Sequence, residues 1–149
     1  MAIATVRSIK ERVLHACLFE FFAIVFTTLI GVFILNKPLE SMGLLAVLIS
    51  LTALLLNIVF NWIFDKFFPF VNGDRPIKLR ILHAIGFEGT LILFTIPMIA
   101  YLLKVSFVEA FFIESGFLVF FLFYTYLYNW SYDQLRKKIV ARSQKKRGN

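Results

Sequence analysis

Glu20 lies inside a run of apolar residues spanning 13–35. An ionised carboxylate is costly in such surroundings, which leaves the group poised to bind either a proton or a cation. A carboxyl that takes a proton from one side and releases it when an organic cation arrives couples two flows by competition, the physics of antiport. The plainer use of the same residue is as a neutral carboxyl hydrogen-bonded to a neighbouring helix. Glu88 admits both readings. Glu114, a third acid in an apolar run, is open to interface or gate roles as well.

Two histidines, His15 and His83, invite a metal reading, since two His and two Glu could bind a transition metal. The spacing argues against it. Each His precedes a Glu by five residues, which sets the side chains about 140° apart on a helix, whereas ligands on one narrow face come three or four residues apart. Helix packing or proton sharing suits these histidines better. The chain also carries no nucleophile motif, phosphate loop or dinucleotide fingerprint. No catalytic residue, metal or cofactor is expected, and a membrane metalloenzyme is the weakest of the functional classes.

The acids and histidines belong to an internal repeat. Arg12, Leu14, His15, Ala16, Phe19 and Glu20 recur 68 positions later as Arg80, Leu82, His83, Ala84, Phe87 and Glu88. A second block, Asn61, Trp62 and Asp65, recurs at the same offset as Asn129, Trp130 and Asp133, with Phe60 and Phe64 answered by Tyr128 and Tyr132. Two blocks sharing one offset define two copies, 12–65 and 80–133. Each copy contains two apolar runs, so both copies enter a membrane from the same side as a parallel repeat.

Helical geometry puts Arg12, His15, Ala16, Phe19 and Glu20 on one broad face, and Asn57, Phe60, Asn61, Phe64 and Asp65 within an arc of about 140°. Polar faces on otherwise apolar rods are expected to point into a bundle. The expected layers are Arg12 beside Asp65 at the rim, His15 near Asn61, and Glu20 near Asn57. In the second copy Arg80, His83 and Glu88 would meet Asp133, Asn129 and Thr125. The rim pairs read as structural, and His15, His83, Asn57, Asn61, Glu88 and Glu114 as a supporting polar site around Glu20.

The elements that must position these residues follow from composition. The chain is 60% hydrophobic and 17% charged, with a mean hydropathy of +0.81, too little polar surface to cover a water-soluble globule. A bilayer core about 30 Å thick needs about 20 apolar residues per crossing. Four runs qualify: 13–35, 43–64, 81–103 and 107–130. The expected fold is an all-α integral membrane protein of four transmembrane helices forming a single membrane domain over 1–149. The first run is long, holds Glu20 and lacks a small-residue cleavage pattern, so it reads as a retained span. Cys17 reads as a small packing residue, Trp62, Trp130 and Tyr132 as interfacial anchors, and Pro97 as a candidate kink.

Fourteen of the sixteen basic residues flank one end of the spans, leaving Lys37 and Lys104 for the other two loops. The positive-inside rule therefore places both termini and the central loop in the cytoplasm. The net charge of +7 is spread over membrane-flanking segments rather than one folded face, which suits anionic lipid headgroups better than nucleic acid.

The repeated Arg-x-x-His-Ala-x-x-Phe-Glu at 12–20 and 80–88, with 57–65 and 124–133 closing the hairpins, resembles the proteobacterial antimicrobial compound efflux family, also called the bacterial transmembrane pair or chlorhexidine efflux proteins. The match covers nearly the whole chain. It implies a small inner-membrane, proton-coupled exporter of cationic biocides such as chlorhexidine, dye-like cations and short-chain diamines, with Glu20 at the position tied to proton coupling and substrate binding. One departure stands in the second block, which usually opens with Trp-Asn and here reads Leu56-Asn57; loss of that aromatic bears on which drugs bind. A single four-helix unit encloses little volume for a drug-sized ligand, so a homodimer working by alternating access is expected. The rival class is a non-transporting assembly or regulatory protein that uses the repeat for packing.

Overall fold

The computed structural model describes residues 8–69 and 76–147, with side chains up to Ala141. It contains four helices: α1 (Ile9–Phe33), α2 (Leu39–Phe67), α3 (Ile77–Leu103) and α4 (Phe107–Arg147). All four are long and apolar enough to cross a membrane, and only 11% to 22% of each apolar window is buried within the chain. The protein is thus a multi-pass, all-α membrane protein. Its large exposed hydrophobics, such as Leu55, Ile85, Leu93, Leu122 and Phe123, have lipid as their natural partner.

Local sequence explains the helix ends. Ser8 and Glu11 open α1, where the Glu11 amide donates to Ser8 Oγ at 3.2 Å. Ser106 and Glu109 open α4 with a reciprocal pair: the Glu109 amide donates to Ser106 Oγ at 3.2 Å and the Ser106 amide to Glu109 Oε2 at 3.0 Å. This is a capping box, which satisfies two amides otherwise orphaned at a helix start. Helices α2 and α3 instead follow Pro38 and Pro76, both extended. The chain leaves α1 through Asn36 and α3 through Lys104, both left-handed. After α3, the Lys104 and Val105 amides both return to the Ala100 carbonyl.

The helices overrun the apolar runs. α1, α2 and α3 begin four residues earlier than the runs in the sequence. α4 continues well past Trp130 to Arg147, so the basic stretch after the fourth span extends a helix. The start points repeat: α1 and α3 begin 68 positions apart, as do α2 and α4, and so do the left-handed residues Asn36 and Lys104. α3 runs on through Pro97, and Cys17, read above as a packing residue, is exposed on α1.

The chain forms two compact units, Met1–Ala23 with Gly116–Asn149, and Ile24–Ser115. The first unit buries Ala23, Phe117 and Tyr124. The second packs α2 against α3, and its largest fully buried side chains are Met42, Leu45, Thr95 and Ile99. A Cβ at Gly31 would overlap the Met42 side chain. Met42 has no exposed surface into which to retreat, so glycine there allows α1 to approach α2 closely.

Candidate functional site: two histidine clusters and a buried carboxyl

In the second unit, His83 of α3 meets the polar face of α2. Its Nε2 lies 2.6 Å from Asn61 Oδ1, which makes Nε2 the protonated nitrogen and donor. Asn61 passes its own amide proton to Asn57 Oδ1 at 3.1 Å, one turn earlier. The imidazole stands edge-on to Phe60 and Phe64, with centroids 5.2 and 4.8 Å away, and Phe87 packs on Phe60 at 5.7 Å. Gly86 admits the ring of Phe60, since a Cβ there would lie 3.0 Å from it.

The first unit builds a similar cluster from α1 and α4. His15 stands 5.1 Å from Tyr128 and 4.4 Å from Tyr132 between ring centroids, and Phe19 packs on Tyr124 and Tyr128 at 4.9 and 5.2 Å. The tyrosine hydroxyls add what Phe60 and Phe64 cannot. Tyr128 donates to the His15 carbonyl at 2.9 Å and Tyr124 to the Phe19 carbonyl at 2.6 Å, so side chains four residues apart on α4 meet carbonyls four residues apart on α1. The Asn129 amide turns to the Thr125 carbonyl of its own helix, and the buried Nε2 of His15 has no hydrogen-bond partner among the described residues.

This corrects the expected layers. His83 pairs with Asn61 rather than Asn129, and His15 packs on the tyrosines of α4, so each opening block docks on the closing block of the other copy. The reason is plain in retrospect. Matched faces in a repeat fit equally well whichever copy supplies the partner, and helical phase carries no information on that choice.

The remaining site residues fall in different surroundings. Glu20 is exposed on α1 and Glu88 half-buried on α3; Glu20 belongs to the first unit and Asn57 to the second. Arg12, Asp65 and Arg80 are exposed and Asp133 is half-buried; of these, Asp65, Arg80 and Asp133 each have a partner in the chain. An ion pair joins Glu11 to Arg136 across α1 and α4. The internal repeat could not reveal it, because the counterparts of Glu11 and Arg136 are Leu79 and Phe68. Glu114, placed last among the acids, is the most enclosed: 8% exposed, with Oε1 at 2.8 Å from the Thr95 hydroxyl.

Polar clusters strung along four apolar helices suit passage across a membrane, and comparison with known proteins gives the family. The family model described as chlorhexidine efflux transporter matches residues 7–70 and again 75–138. The chain belongs to the chlorhexidine efflux transporter family. It is a transporter rather than an enzyme, a multi-pass protein of the bacterial inner membrane. Among its relatives are short-chain diamines transporters of Acinetobacter baumannii, 38% identical over 91% of this chain and 94% of the relative, of Acinetobacter baylyi, 38% identical over 87% and 92%, and of Vibrio parahaemolyticus, 40% identical over 85% and 91%. No solved structure matches this transporter.

Proposed function

We propose that this protein exports cationic compounds, chlorhexidine-like biocides, dye-like cations and short-chain diamines, in exchange for protons, and that Glu20 is the group on which cation and proton compete. The observation that carries the reading is a carboxyl of the first repeated block on α1, a helix apolar enough to span a membrane, in a chain whose relatives are short-chain diamines transporters. From Val13, where the apolar run begins, Glu20 is seven residues along α1, about 10 Å, roughly a third of the way into a bilayer core of about 30 Å. A charged acid at that depth is stable only with a proton or a cation beside it, and binding either one excludes the other.

Alternating access follows from that exclusion: the site faces the cytoplasm to load a cation and the opposite side to exchange it for a proton. The tandem repeat gives the transporter two equivalent hairpins to rock, and its helix starts and left-handed residues, spaced by a common 68, support that origin. The bias of basic residues supports cytoplasmic termini. Asn57, Asn61 and the two histidines support the path with polar groups, and Glu20, exposed on the single chain, lies on surface that a second copy in a homodimer would cover.

The test is efflux of a fluorescent cationic dye, and of radiolabelled diamine, from membrane vesicles carrying wild type or Glu20→Gln at matched expression over a range of pH. Transport by wild type that depends on the proton gradient, and its loss in the amide variant, is the expected result. A wild-type rate indifferent to pH, or an amide variant that still transports against a gradient, would remove the coupling role from Glu20.

A further inference from the structure

The mechanism above leaves Glu114 without a task, although it is the most deeply buried acid among the described residues. It sits seven residues into α4, about 10 Å along the axis, and Thr95 sits eight residues before the end of α3, about 12 Å. In these antiparallel helices the two therefore share one level. Thr95 has no exposed surface and Glu114 has 8%, so the space between them admits a proton but no organic amine.

The hydroxyl of Thr95 faces two oxygens, the Leu91 carbonyl at 3.0 Å and Glu114 Oε1 at 2.8 Å. A hydroxyl has one proton to donate and can accept with its lone pairs. If that proton goes to Leu91, as is usual for threonine inside a helix, the contact with Glu114 is satisfied when the carboxyl itself carries a proton and donates it. If Glu114 is ionised, the hydroxyl must turn to it and abandon the Leu91 carbonyl. Occupancy of the carboxyl by a proton thus sets the direction of the Thr95 hydroxyl.

The surroundings favour the protonated arrangement. Among the described residues the charged group that acts on Glu114 is Glu88, which lies two turns before Thr95 on nearly the same face of α3. Glu109, five residues away on α4, is engaged at the helix start with Ser106. Among the described residues, no basic side chain of α3 or α4 acts on Glu114. A carboxylate enclosed without a counter-cation is costly, and a proton removes that cost.

We infer that Glu114 and Thr95 form a second proton-binding site, separate from Glu20 and close to the end of the helices where α3 turns into α4. That this end faces the outside rests on the orientation proposed above; the site itself does not. Such a site holds a proton at the level where the gradient delivers it.

The experiment is infrared difference spectroscopy of the purified full chain in lipid, in H2O and D2O, over a pH series, comparing wild type with Glu114→Gln, Thr95→Val, Thr95→Ser and Glu20→Gln. The expected wild type minus Glu114→Gln spectrum contains a protonated carboxyl C=O band that shifts in D2O, persists in Glu20→Gln, moves in Thr95→Val and stays in place in Thr95→Ser. Superimposable spectra of wild type and Glu114→Gln in the carboxylic acid region would overturn the proposal, as would a carboxylate band lost from Glu114→Gln at every pH. If Glu114→Gln does not fold, the Thr95 variants decide, and a band that Thr95→Val leaves unmoved counts against the site. Because no transport is measured, failure of the efflux reading leaves this outcome intact.

Discussion

His15 and His83 stand at matching positions 68 residues apart, and both pack against two aromatic rings spaced four residues apart. Their polar atoms nevertheless fare differently. His83 Nε2 is satisfied by Asn61, whereas His15 Nε2 is buried without a partner among the described residues. The cause lies in the closing blocks. Phe60 and Phe64 have no hydroxyl, and on α2 it is Asn61 that accepts the hydrogen bond from His83 of α3. Tyr124 and Tyr128 reach the carbonyls of α1 directly, which holds α4 to α1 without using the histidine ring. At matching positions 68 residues apart, the hydrogen bond is made by the imidazole in one place and by the phenols in the other. The histidine released from structural work is His15, in the block that also carries Glu20.

The largest effect separating the two comes from replacing the rings. His83→Phe keeps the apolar packing but leaves Asn61 Oδ1 without its donor, and an orphaned, partly buried polar group costs about 1–3 kcal/mol. His15→Phe removes a buried nitrogen that has no partner, and its stability is expected to be equal to wild type or higher. Denaturant unfolding of both variants in mixed micelles reads the contrast. A loss of equal size at position 15 would mean that the two frames are held in the same way.

Much of this was legible beforehand, and the limit falls in an instructive place. The four spans follow from hydropathy because lipid imposes a length and a polarity that few other sequences meet. The apolar runs set α1 to start at 13, four residues late, because they take no account of Ser-x-x-Glu at 8–11 and 106–109, a helix-start signal. What could not be read was partner choice. His15, Asn61, His83 and Asn129 present the same faces, and only the tyrosines at 124, 128 and 132, absent from the first copy, hinted that α4 has a separate attachment. Glu114 escaped weight for a related reason: its counterpart is Ala46, so an argument resting on repetition passes over it, although both residues are buried.

A middle-sized effect tests the phenol contacts. Tyr124→Phe and Tyr128→Phe each delete one hydroxyl donating to a backbone carbonyl, a loss of about 0.5–1.5 kcal/mol. Hydrogen exchange should locate it: amides between 9 and 23 lose protection while those between 77 and 90 keep theirs. Exchange that rises equally in both segments would deny the tyrosines a role specific to the α1–α4 attachment.

The smallest effect concerns the Glu11–Arg136 pair, which like the tyrosines has no counterpart in the other frame. Both side chains are about a quarter exposed, and an ion pair in contact with water gains little because solvent and salt screen it. A double-mutant cycle of Glu11→Gln and Arg136→Gln should give a small favourable coupling that fades as salt is raised. The same cycle in the Tyr128→Phe background sharpens the comparison. If the phenols fix α4 against α1, the charges are held in register by them and the coupling shrinks when the hydroxyl is removed. If the coupling is unchanged, the ion pair sets the register and the tyrosines follow it, so that the attachment of α4 begins at the membrane rim rather than within the span.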